Sequence, residues 1–231
     1  HSLKLDAHLF HLFDDGQSKS RYVFAKDISM DKIIFKTLNS KKETGLVLEK
    51  IEMYSGVRLP LNYAKDSKIV GAFLHNQLVA SYMLVTKPNY RSVMFVPDET
   101  KESNTFFKKD QYDFMEVNGL WISPALKTPS LQVRIWMNLI KDIFFCKKKY
   151  ILLMRNKKNR SMERFLNMAN PSILFEGSPL KMAGQSTYDE IQVSFTSRWK
   201  ILLNFHKYFM EFRNRQRRAE NFATQQNYVE I

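Results

Sequence analysis

The stretch from Ile69 to Val85 constrains this chain most. Ile69-Val70-Gly71-Ala72-Phe73-Leu74 and Leu78-Val79-Ala80-Ser81-Tyr82-Met83-Leu84-Val85 are two apolar, β-prone runs. Only His75-Asn76-Gln77 separates them, so they read as an antiparallel hairpin, with His75 solvated in the turn. So apolar a hairpin is not stable alone in water and must be covered by another layer. The 231-residue chain has the means to do so: 44% of it is hydrophobic and 13% aromatic, with 18 Phe and only 7 Gly. That length suits one large domain, or one domain with an appendage.

On either side of the hairpin the pattern switches between the strand and helix periods. Tyr22-Val23-Phe24-Ala25 is a short β-prone run. Residues 31–40 carry Ile33, Ile34, Phe35 and Leu38 at helical spacing. A second helix is expected over 42–54, from Leu46, Leu48, Ile51 and Met53, with Gly56 to end it. Residues 92–96 read as a strand, 97–110 as an exposed polar loop, and 114–122 as a strand. Two prolines break the pattern in 123–130. Thr128 suits an N-cap and Pro129 a first helical position. A helix then follows Leu131, Ile135, Leu139 and Ile143 to about Phe145, closed by Lys147-Lys148-Lys149. Strands are expected at 150–154, 172–175 and 189–195, and a short helix over 159–169. One long basic helix is expected over 197–223, with a flexible polar tail at Gln225-Gln226-Asn227.

The order of these elements resembles that of the GNAT (general N-acetyltransferase) superfamily, over roughly residues 20–196. The heart of the resemblance runs from Glu116 to Glu176. In that family a strand ends in a turn carrying Arg/Gln-x-x-Gly-x-Gly/Ala, which opens the central helix. The matching stretch here is Gly119-Leu120-Trp121-Ile122-Ser123-Pro124, then 125–130, then the helix. Residues 150–154 match the next strand, and Asn159-Arg160-Ser161-Met162-Glu163-Arg164-Phe165-Leu166 the Asn turn and short helix. The resemblance implies an α/β (α+β) fold, with a mixed, mostly antiparallel central sheet flanked by helices. It divides the chain into an acyltransferase domain over 1–196 and a basic amphipathic C-terminal helix and tail over 197–231.

It also implies a site. The loop cradles a pyrophosphate with backbone N–H groups at a helix N-terminus, and glycines let that backbone come close. In this chain Lys127 takes the Arg/Gln slot, while Thr128, Ser130 and Gln132 stand about where glycines belong. Pro129 removes one donor. Those four residues and Asn159 are the expected cofactor contacts, for acetyl-CoA or another acyl-CoA. A donor carried on an acidic carrier protein, as in some GNAT-like synthases, needs the nucleotide pocket less. Glu116 lies where relatives place a general base; the plain alternative is a solvated residue near a strand start. Phe165 or Leu166 fills the slot of the tyrosine that protonates the leaving thiolate, and neither can donate a proton. Asn118, like Asn159, reads either as a substrate contact or as a turn and strand-end residue.

Charge and the remaining motifs leave several readings open. Lys plus Arg is 36 against 23 Asp plus Glu, a net charge of +13. That favours an acidic partner without choosing among nucleic acid, anionic membrane and carrier protein. Over 198–218 the basic residues accompany a stripe of Trp199, Leu202, Leu203, His206, Phe209 and Met210. This stripe packs on the domain or a second subunit, or it docks on an anionic or protein partner. Cys146 is the lone cysteine, so no intrachain disulfide forms, and it reads as a core thiol. His8 and His11 are three apart but have no third ligand, so no metal is expected. No apolar run approaches the roughly 20 residues that span a bilayer, no signal peptide is visible, and a cytoplasmic location is expected. The expected activity is N-acyl transfer from a thioester to an amine. The alternative is a non-catalytic binding or assembly module of the same fold, such as a phage structural component, with nucleic-acid binding ranked last.

Overall fold

In a computed structural model, residues 32–55, 57–158, 160–180 and 189–229 are described. The Tyr22–Ala25 run, His8, His11, Gly56 and Asn159 lie outside the described residues. The elements in chain order are β1 (Ile34–Thr37), α1 (Lys41–Ser55), α2 (Leu61–Lys65), β2 (Ser67–Leu74), β3 (Gln77–Val85), α3 (Arg91–Met94) and α4 (Asp98–Ser103). After two single-turn 3₁₀ segments come β4 (Phe114–Ile122), α5 (Pro129–Phe145), β5 (Tyr150–Asn156), α6 (Arg160–Asn167), β6 (Ser172–Gly177), β7 (Ile191–Thr196), α7 (Arg198–Leu203) and α8 (Phe205–Val229). The strands form a sheet of seven in the order β1-β2-β3-β4-β5-β7-β6. Every pairing is antiparallel except β4 with β5. The mixed, mostly antiparallel sheet is the one expected from the sequence.

The β2–β3 hairpin is the expected one, with His75 exposed in its turn. Its two-residue turn places His75 and Asn76 at φ of 49° and 63°, the conformation that matches the twist of paired strands. Alternation then sends successive side chains of each strand to opposite faces. On one face Val47, Ile51, Tyr63, Ile69, Met83 and Phe114 pack beneath α1 and α2. On the other, Tyr82, Met115, Trp136, Leu139 and Phe165 pack with α5 and α6. Tyr82 Oη donates to Asp142 Oδ2 at 2.8 Å and accepts from Asn138 Nδ2 at 2.5 Å, pinning α5 to β3.

Four expectations are corrected. Residues 31–40 hold a four-residue edge strand, not a helix, pairing Ile34 with Phe73 through Thr37 with Val70. Residues 92–96 are not a strand, because Arg91–Met94 is one helical turn. Residues 97–110 are not a plain exposed loop: they hold α4 and a 3₁₀ turn whose Phe106 is buried against Phe114 and Phe195. The C-terminal helix is broken at Asn204, and its second part continues through the supposed tail to Val229.

The break leaves one face in phase along both helices, and it is not the face of the expected stripe. Ile201, Tyr208 and Phe212 are the buried positions, with Phe212 over Trp136 and Tyr208 over Phe165. The stripe read from the sequence faces outward: Trp199, Leu202, Leu203, Phe209 and Met210 are all exposed.

Two features of β4 set up the site. Its parallel pairing with β5 covers only Phe114–Tyr150, Met115–Ile151 and Glu116–Leu152. Beyond these, β4 continues with β3 to Ile122 and β5 with β7 to Asn156, so the facing edges part and leave a gap. The second feature is a bulge. Ser81 pairs with Trp121 but Met83 with Asn118, so Gly119 and Leu120 together oppose Tyr82. Gly119 sits at φ 57°, and a Cβ there would lie 2.8 Å from both Ile51 Cδ1 and Met83 Sδ. Gly119→Ala is therefore expected to cost about 2–4 kcal/mol from left-handed strain plus overpacking. Thermal unfolding should show a drop in Tm of roughly 5–10 °C.

Candidate active site

The site is built around Glu116, the third residue of β4. It is 1% exposed, so the reading of a solvated strand-start residue is corrected. Its carboxylate accepts from three donors. Ser92 N donates to Oε1 at 2.9 Å; Arg91 N at 2.8 Å and Tyr63 Oη at 3.0 Å donate to Oε2. Burial pushes the carboxyl above its ordinary range, and the two amides and the phenol oppose that shift. The turn α3 exists where it does because this carboxylate takes its first N–H groups, which have no intrahelical acceptor.

Tyr63 links Glu116 to the gap. Its hydroxyl donates to Glu116 and accepts from Asn118 Nδ2 at 2.9 Å. Burial, then the Glu116 charge, push the phenol far above its ordinary range. Asn118 Oδ1 accepts from Gly119 N at 2.7 Å, so this side chain also holds the bulge. Trp121, past the bulge on the same face, stacks on Tyr54 with centroids 5.3 Å apart, and its Nε1 is buried without a partner. Arg91 completes the group, its guanidinium over the rings of Tyr63 and Phe95.

The expected phosphate loop follows β4 at the C-terminal end of that strand, where the gap opens. Leu126 N donates to Ser123 O and Lys127 N to Ala125 O, which folds the loop into tight turns before α5. Lys127, Thr128 and Ser130 are exposed there; Thr128 is the N-cap but makes no side-chain cap bond. Gln132 differs from the other three. It is buried, and its Nε2 donates to Leu126 O at 2.6 Å, so it braces the loop from inside. With no glycine and with Pro129 at the first position, the loop offers an anion a cation, two hydroxyls and fewer backbone donors than the family pattern.

The leaving-group slot is empty of acid chemistry. Phe165 is buried against Trp136, Tyr208 and Phe212, so it belongs to the α5–α8 core. Tyr150 packs among Phe106, Phe114 and Phe195. Cys146 is half-buried with its thiol pushed up by burial, as befits a core thiol. A groove of 480 Å³ lined by Gly45, Leu48, Glu49, Arg58 and Leu61 lies along α1 and α2, and none of the Glu116 group lines it. Among the described residues no His/Cys/Asp/Glu cluster could hold a metal, and no helix is long and apolar enough to cross a membrane. Sequence reasoning brought Glu116 and Asn118 forward but missed Tyr63 and Arg91, which enter only through tertiary contact.

No protein-family model and no curated protein matches the chain. Solved structures do. FeeM, an N-acyl amino acid synthase from uncultured soil microbes, superposes with a TM-score of 0.53 over 73% of this chain and 92% of its own, at 8% identity. A GNAT family acetyltransferase from Elizabethkingia anophelis with acetyl-CoA bound gives 0.49 over 71% and 97%, at 8% identity. An N-acetyltransferase from Staphylococcus aureus Mu50 gives 0.49 over 73% and 99%, at 11% identity. This chain has the GNAT fold. Within the GNAT fold its departures are local: a loop without glycine, and a phenylalanine turned into the core.

Glu116→Gln would replace one acceptor oxygen by an NH₂ group facing a donor. The expected loss is about 2–3 kcal/mol, measured by urea unfolding at pH 7. The native carboxyl holds its proton more tightly than the unfolded chain does. Its stability contribution is therefore full below the ordinary 4.5 and declines as pH rises through the native value. The variant should lack that slope.

Proposed function

We propose that this protein is an N-acyltransferase that moves an acyl group from a thioester donor to an amine. The observation that carries the reading is the chain of hydrogen bonds from Asn118 through Tyr63 to the buried Glu116, beside the place where β4 and β5 part. The gap suits the pantetheine arm shared by acyl-CoA and an acyl carrier protein, because the strand edges facing it carry backbone groups without ladder partners. Lys127, Thr128 and Ser130, at the start of α5, would meet the phosphate at the end of that arm. Asn159 is a further candidate contact for the arm. FeeM is an N-acyl amino acid synthase, which agrees with the reading.

The chemistry asks little of the protein beyond a proton acceptor and an oxyanion donor. The amine nitrogen attacks the thioester carbonyl carbon from the Tyr63 side. A C–N bond forms while a backbone N–H on the freed edge of β4 holds the developing oxyanion. The nitrogen gives its proton to Tyr63 Oη as the phenol proton passes to Glu116. The C–S bond then breaks, and the thiolate takes a proton from water. A free thiol has a pKa of about 8.5, so it can leave without a dedicated acid, consistent with Phe165 in that slot.

A second reading rests on one observation: Leu202, Leu203, Phe209 and Met210 are exposed among the basic residues of α7 and α8. That surface would receive an anionic or protein partner, an acidic carrier protein included.

The test is thiol release and N-acyl product formation from an acyl-CoA series and an acyl carrier protein, with a panel of amines. Tyr63→Phe should lower kcat about 10²–10⁴-fold while the protein stays folded at the assay temperature, with stability lowered by about 1–3 kcal/mol for the lost buried hydrogen bonds. Lys127→Ala should weaken donor binding roughly five- to tenfold. Because the carboxylate form is the base, activity should rise with pH through a limb above the ordinary 4.5. Absence of product with every donor would contradict the reading.

A further inference from the structure

The described residues contain two buried arginines, and they differ in one respect. Arg155 is 6% exposed, and its donors are used: Nε to Gln192 Oε1 at 2.9 Å, Nη1 to Lys157 O at 3.2 Å and Nη2 to Glu163 Oε1 at 3.0 Å. Arg91 is 7% exposed, and among the described residues no acceptor meets its guanidinium. It lies over two ring faces, Tyr63 at 5.8 Å and Phe95 at 5.9 Å. Ring faces stabilise a cation but satisfy none of its five N–H donors. A nearly buried guanidinium without an acceptor is costly unless something else supplies one.

The head is nonetheless reachable. Among the described residues, the polar side-chain atoms both sealed from solvent and unpartnered are Ser81 Oγ, Ser92 Oγ and Trp121 Nε1, and the Arg91 nitrogens are not among them. Nor does Arg91 serve Glu116 through its side chain, since the backbone N–H makes that bond. The position is therefore held from the main chain, and the guanidinium is left over. It lies on the face of the same phenol ring whose hydroxyl joins Glu116 and Asn118.

We infer that Arg91 binds a carboxylate of the acceptor, so the acceptor is an amino acid or a similar small amine bearing a carboxylate. This rests on the acyl-transfer reading for the word acceptor, but not for the carboxylate site. A planar guanidinium matches a carboxylate in a bidentate pair, and the aromatic walls strengthen that pair by excluding water. With the carboxylate on Arg91, an amine a few bonds away is directed toward the Tyr63 hydroxyl. Arg91 is thus a binding residue that fixes which amines are positioned for attack.

The experiment has two arms. In the first, α-amino acids and their decarboxylated amines are compared as acceptors for wild type and Arg91→Met, which keeps the backbone N–H. Wild type should prefer the amino acids. Arg91→Met should raise the KM of the amino acids roughly ten- to hundredfold more than that of the simple amines, and Arg91→Lys should recover part of that difference. In the second, the Arg91 Nε–H resonance of labelled wild-type protein is followed as the same amino acids and amines are added. It should shift with the amino acids only. Turnover of both classes alike, with an unmoved resonance, overturns the inference and leaves the acyl-transfer reading intact. A resonance shift without any acyl transfer supports the carboxylate site and overturns that reading instead. If Arg91→Met does not fold, the wild-type preference and the resonance decide.

Discussion

A carboxylate shut away from water must find its donors inside the protein. Glu116 finds them in segments far apart in sequence: Tyr63 in α2, and the amides of Arg91 and Ser92 where α3 begins. Because Glu116 sits at the last paired position between β4 and β5, those bonds fix α2 and α3 against the point where the sheet opens. Everything assigned to the site follows from that fixture. It sets the Tyr63 hydroxyl between Glu116 and Asn118, and it places the Arg91 guanidinium on the Tyr63 ring. The bulge at Gly119 and the turns before α5 then shape the other side of the gap.

The parts of the fold legible in the sequence were those whose signals are local. The hairpin was marked by two apolar runs and a short polar break. The start of α5 was marked by Thr128 and Pro129, and its end by Lys147 to Lys149. Errors arose where a distant partner decided the outcome. Residues 92–96 read as a strand because four apolar residues adjoin there, yet Glu116, twenty or more positions later, takes the amides that begin a helical turn. Ile33, Ile34, Phe35 and Leu38 fit a helical period as well as a short edge strand, and pairing with β2 settles it. In the basic helix, Asn204 adopts a non-helical conformation and its side chain bonds Lys200 O. Ile201, Tyr208 and Phe212 nonetheless recur at intervals of seven and four residues, on the face opposite the stripe, and Trp136 and Phe165 cover that face.

The site was half legible for the same reason. Glu116 could be named from its place on the strand before the loop, but not its burial. Lys127, Thr128 and Ser130 lie exposed at the start of α5, as the loop's position implied, whereas Gln132 turned inward to brace it. Tyr63 and Arg91 carry no local pattern that sets them apart from other tyrosines and arginines. The two departures from the family pattern now have separate physical accounts. Phe165 is a core residue shared by α5, α6 and α8, and the glycine-free loop is stiffened by Pro129 and Gln132. Neither departure touches the Glu116 group.

The central claim is that the gap between β4 and β5 receives the arm of a thioester donor. Hydrogen exchange measured with and without an acetylated pantetheine thioester, the arm that both donor types share, tests it most directly. The account predicts added protection in β4 from Asn118 to Ile122 and in the first turn of α5, with the rest of the sheet unchanged. No added protection at millimolar probe, or protection confined to α7 and α8, would contradict it.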